Sequence, residues 1–139
     1  MSAESSARIR VASGRHVVDV RVYETLADLR AAGRRFNGAE GLDDTVGLCQ
    51  VSYHVRPDGT ATVRPIVRLC RWRLSSQIVS HEMHHAVTAI YGSTLADDAL
   101  ASDVLTHHNE TFAHLYSDML SRLVDRLYDR GYYGHEAAA

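Results

Sequence analysis

Ser76-Gln77-Ile78-Val79-Ser80-His81-Glu82-Met83-His84-His85-Ala86-Val87-Thr88-Ala89-Ile90-Tyr91, followed by Gly92, carries the strongest pattern in the chain. Ser75 or Ser76 can cap a helix through Gln77 to Tyr91, and Gly92 can close it. Ile78, Ala86 and Ile90 give that helix an apolar side. Inside it stands the pattern H-E-x-x-H. Residues four apart lie one above the other on a helix, so His81 and His85 can offer two imidazole nitrogens to one metal ion. Glu82 sits about 100° further round, where it can hold and deprotonate a water. With nine histidines and six glutamates in 139 residues, about 0.02 such matches are expected by chance.

Downstream, a long helix is expected from about Asp103 to Arg130, ended by Gly131, with Ala113, Tyr116, Leu120, Leu123, Val124 and Leu127 as its buried stripe. Upstream, Val18, Val20 and Val22 alternate with polar residues in a strand from His16 to Tyr23. Thr25 then caps a short helix with Leu26, Leu29, Gly33 and Phe36 down one side, and Asn37 to Thr45 reads as a loop. Two further strands alternate from Gly47 to Val55 and from Ala61 to Leu69, joined by a Pro57-Asp58-Gly59 turn that pairs odd with odd positions. That register sets Cys49 opposite Val67 and sends Cys70 to the other face, so the two cysteines do not form a disulfide and serve as packing residues. Pro65 cannot donate to a ladder, which marks its strand as an edge or bulged strand. The order strand, helix, strand, strand, helix, helix is an α+β pattern: a small antiparallel or mixed sheet packed on the H-E-x-x-H helix and the long C-terminal helix.

A length of 139 residues with 45% apolar content is one domain, with 1–7 and 134–139 as tails. All 15 cations are arginine, which excludes a P-loop, a Schiff base and a Ser-Lys dyad. A net charge of −2 argues against a nucleic-acid or membrane partner, and Arg64, Arg68, Arg71 and Arg73 read as a solvated sheet face. Neither a charged n-region with an apolar core nor a run of 18 apolar residues is present, so a cytoplasmic location is expected. Of the remaining histidines, His84 reads as a neighbour on the helix flank, and His16, His54 and His135 as ordinary exposed residues. Asp118 is placed to pair with Arg122 one turn on.

Two imidazoles hold zinc weakly, so a third ligand is required. Tyr91 and Thr88 replace the histidine and glycine that a metzincin would carry. Asn109-Glu110 followed by Ala113 resembles the N-E-x-x-[SA] segment of the gluzincin metallopeptidases. Together with His81, Glu82 and His85 it also resembles the small zincin-like proteins of bacteria and their phages, including those that cleave immunity repressors. The resemblance spans about Ser80 to Asp118 and implies one zinc per chain held by His81, His85 and Glu110, with Ala113 letting the two helices approach. The gluzincin aspartate four residues after the ligand glutamate is replaced by His114. His114, His107 and His108 are therefore alternative third ligands. The expected activity is peptide-bond hydrolysis, with Glu82 taking a proton from a zinc-activated water. Tyr132, Tyr133, His114 and His54 are candidates for stabilising the oxyanion, and the strand near Pro65 for pairing with an extended peptide. The implied partners are a peptide or protein substrate and, in so small a domain, a partner protein or a loop (Asn37 to Thr45 or Ser93 to Ser102) that selects it. The competing class is a non-catalytic zincin-like domain with structural zinc, acting as a binding or regulatory module.

Overall fold

The computed structural model describes residues 6–38, 41–58, 61–94 and 109–133. Within them the chain forms β1 (Ser6–Ser13), β2 (His16–Tyr23), α1 (Leu26–Asn37), β3 (Gly47–Val55), β4 (Ala61–Cys70), a single 3-10 turn (Arg71–Arg73), α2 (Ser76–Thr94) and α3 (Asn109–Asp129). The four strands make one mixed sheet in the order β1-β2-β4-β3, parallel only between β2 and β4. The fold is α+β, with α1 on one face of the sheet and α2 and α3 on the other.

Strand β1 is the element that the composition of the N-terminus hides. Ile9 and Val11 alternate with Arg8 and Arg10, and the strand takes in Ser6 and Ala7, which composition places in the tail. It folds back on β2 through a two-residue loop whose first residue, Gly14, has φ +59°, the conformation such hairpins require. Its outer edge is covered, because Arg126 of α3 and Arg130 just after it donate to the carbonyls of Arg10 and Arg8. At the far end, the Ser13 hydroxyl donates to Asp118 at 2.6 Å, and Arg122 donates to the same carboxylate.

The β3–β4 register pairs odd with odd, Cys49 lies opposite Val67, and both thiols are free on opposite sheet faces. The strand carrying Pro65 is interior, contrary to its reading as an edge. The proline is tolerated because pairing with β2 begins only at Ile66, so β4 is paired on one side alone at Pro65. Arg68 is also not solvated. It is 6% exposed beneath α1, where it donates to Gln50 Oε1 and to the Tyr23 hydroxyl and stacks on Phe36.

The main core joins Ile9, Val11, Val18, Val20, Val22, Val67 and Leu69 of the sheet to Val79, Met83, Ala86, Val87 and Ile90 of α2 and to Met119, Leu123 and Leu127 of α3. In α3 the buried stripe is rotated from the one expected: Met119 is in it, and Ala113 is exposed. Helix α2 runs through Gly92 to Thr94, and its cap is Ser75, whose hydroxyl accepts from the amide of Ile78. The expected stretch 103–108 of the last helix, with His107 and His108, lies outside the described residues, as do His135 and most of the 93–102 loop.

Candidate metal centre

The rotation of α2 decides the character of each polar side chain on it. Its core face is centred on Met83, so His81 and His85, roughly on the opposite side, are exposed. Glu82 falls about 100° from His81 and about 60° from His85 and lands on the boundary that meets β3, where it is 8% exposed. The imidazole pair and the glutamate are the group among the described residues whose ligand atoms all lie within 4.8 Å of one another.

The imidazoles fit a single ion. Their Nε2 atoms stand 3.2 Å apart, with the rings nearly perpendicular. Two nitrogens bound tetrahedrally at about 2.0–2.1 Å must stand about 3.3–3.4 Å apart. Burial raises the carboxyl of Glu82 above its ordinary pKa, opposed by the nearby His81 and His85. Its carboxylate is seated in a notch: a Cβ on Gly47 would come 3.2 Å from Glu82 Cγ, 3.3 Å from Oε2 and 2.9 Å from Ile78 Cγ2. Cys49 lies in the same cleft, its thiol pushed up to about 12 by burial and by the charge of Glu82.

The cleft consists of two adjoining hollows of about 320 and 420 Å³, both lined by Gly47, His81 and Glu82. One extends past Gln77 and Ile78, and the other past Cys49, Val51 and His85. One wall is therefore β3, the edge strand of the sheet on this side. Gln77 is the residue that sequence reasoning passed over. It lies one turn before His81 on the same helix face, a spacing visible in the sequence, and lines the cleft with a residue that carries an amide donor.

Glu110 is not brought to this group. Helix α3 meets α2 through Phe112 and Tyr116: both rings pack on His84, Phe112 also packs on Tyr91, and the Tyr116 hydroxyl donates to the carbonyl of Ser80. Glu110 precedes Phe112 by two residues, about 200° of helical rotation, and so turns to solvent. His114 is about 200° from both contact residues and lies 3.6 Å from Glu110, away from the cleft. The N-E-x-x-A pattern is thus present as sequence, while the aromatic contacts fix the other face of its helix against α2. His84 is the histidine that faces α3. None of the four oxyanion candidates lines the cleft: Tyr132 stacks on Arg71 and Tyr133 on Tyr128, and His54 is exposed on the far half of β3. No helix among the described residues is long and apolar enough to cross a membrane. No family model, curated protein or solved structure matches the chain.

Proposed function

We propose that the chain is a zinc-dependent peptide hydrolase in which His81 and His85 hold one ion and Glu82 is the general base. The observation that carries the reading is the buried Glu82 carboxylate beside an imidazole pair of metal-binding spacing, in a cleft walled by a sheet edge. A zinc ion held there supplies Lewis acidity, which lowers the pKa of water and polarises a carbonyl.

The protein's own groups supply the remainder. Glu82 accepts a proton from water during attack on the peptide carbonyl and returns it to the leaving amine; a carboxyl with a raised pKa is better matched to that exchange near neutral pH. The Gln77 amide donates to the carbonyl oxygen as it gains charge. The outer edge of β3, the strand that walls the cleft, pairs with an extended peptide and lays it along the cleft. With Glu110 and His114 facing solvent, His107 and His108 are the remaining candidates for the third ligand. The substrate is a peptide or protein, and the cytoplasm, which keeps thiols reduced, suits two cysteines on opposite sheet faces.

A second reading is favoured by the outward turn of Glu110: a zincin-like binding module that holds metal without hydrolysis. Glu82→Gln separates the two. With zinc content equal in both proteins, wild type should cleave a quenched-fluorescent peptide library at least about 100-fold faster than the variant. Zinc-loaded wild type without turnover, or a variant as active as wild type, removes the peptidase reading.

A further inference from the structure

The sheet face opposite the candidate metal centre is an arginine surface. Arg8, Arg21 and Arg68 stand side by side in register across β1, β2 and β4, and Arg10 and Arg64 lie on the same face. The strands contribute one carboxylate to that face, Asp19, which lies 3.7 Å from Arg64. With Arg68 covered by α1, four cations, Arg8, Arg10, Arg21 and Arg64, stand against one anion on this face, in a chain whose net charge is −2.

Like charges directly opposite on neighbouring strands destabilise a sheet, so such a row calls for a counter-anion. Arg68 is satisfied by neutral groups beneath α1. Arg21 is not: its Nε is buried and has no hydrogen-bond partner. Among the described residues no carboxylate pairs with Arg8, Arg10 or Arg21. Arg8 and Arg10 are exposed, and Arg126 of α3 and Arg130 just after it arrive at the same strand.

We propose that this face binds the phosphodiester backbone of duplex DNA without reading sequence. Guanidinium groups are the fork-shaped donors that match phosphate oxygens, and protein–DNA contacts are far richer in positive charge than protein–protein contacts. A protein partner would call for aromatic anchors, and a single strand for rings on which bases stack. The large exposed aromatics Tyr53, Trp72 and Tyr128 lie off this face: Tyr53 points to the α2 side of β3, Trp72 is in the 3-10 turn, and Tyr128 is on α3. The expectation of no nucleic-acid partner rested on the whole-chain charge, which averages this face with the acidic remainder. Because the face is opposite the cleft, bound DNA leaves the cleft open, and the proposal stands or falls independently of the peptidase reading.

The test is fluorescence anisotropy of a labelled 20-base-pair duplex with the full chain. Four arginines on phosphate give a log affinity against log salt slope of about −3.6, hence roughly 100-fold weaker binding at 200 mM than at 50 mM salt. Arg8→Gln/Arg10→Gln, both exposed, should reduce the slope by about 1.8, and adding Arg21→Gln by about 0.9 more. Arg56→Gln, just beyond β3 at the sheet edge farthest from β1, should change nothing, and circular dichroism checks that each variant is folded. No binding at 50 mM salt, binding untouched by the folded double variant, or tighter binding to polyglutamate or to phosphatidylserine vesicles than to the duplex overturns the proposal.

Discussion

Gly47→Ala tests the seat of Glu82 with a single carbon atom. The new Cβ would stand 2.9 Å from Ile78 Cγ2 and 3.2 and 3.3 Å from Cγ and Oε2 of Glu82, where ordinary contact is about 3.5–4.0 Å. Ile78 must therefore retreat by at least about half an ångström and Glu82 by a few tenths. Overpacking of this kind costs about 1–3 kcal/mol, offset by about 0.4–1 kcal/mol from the less flexible unfolded chain, because Gly47 has no positive φ that alanine would strain. At mid-range, about 2 less about 0.7 kcal/mol, the net loss is about 1.3 kcal/mol, a fall in Tm of roughly 4–5 °C for a chain of this size. Calorimetry of the metal-free protein reads that loss. In the zinc-loaded protein, any hydrolysis should fall mainly in kcat, because the displaced group is the proposed base while the histidines stay in place. A Tm equal to or above that of wild type would show that the notch is loose and that Gly47 does not position Glu82.

Leu123→Ala, fully buried between α3 and the sheet, should cost about 2–5 kcal/mol in urea unfolding; a loss under 1 kcal/mol would mean that α3 is not packed as described. Gln50→Ala removes the acceptor of the Arg68 Nε–H and the donor to the Gly33 carbonyl, and should cost at least about 1–3 kcal/mol; an unchanged midpoint would mean that water reaches the guanidinium. For Glu82, a folded pKa above the unfolded value means that the native state binds the proton more tightly, so stability falls as pH rises from about 4.5 through the folded pKa. Glu82→Gln removes that fall: the Tm of the metal-free variant should exceed wild type increasingly as pH rises through this interval, and a difference that does not vary with pH would contradict the buried carboxylate.

The α+β class, the β3–β4 register and the helix carrying His81, Glu82 and His85 were legible because each rests on local periodicity. The interior position of β4 was not, because it depends on a parallel partner some 45 residues away that stops pairing one residue short of Pro65. Strand β1 was readable in the Ile9–Val11 alternation but was outweighed by the polar residues before it. In the site, His81 and His85 follow from four-residue spacing alone. The orientation of Glu110 depends on which side of α3 the aromatic residues choose, and Phe112 and Tyr116 are a stronger apolar claim than the small Ala113. Burial of Arg68 likewise required knowing that α1 lies over that end of the sheet.

The central proposal, that His81 and His85 bind one ion without Glu110, is tested most directly by elemental analysis of the zinc-loaded, desalted chain. One zinc per chain is predicted in wild type and in Glu110→Ala, and none in His81→Ala/His85→Ala. A zinc-free wild type, zinc retained by the double variant, or zinc lost on replacing Glu110 would contradict it.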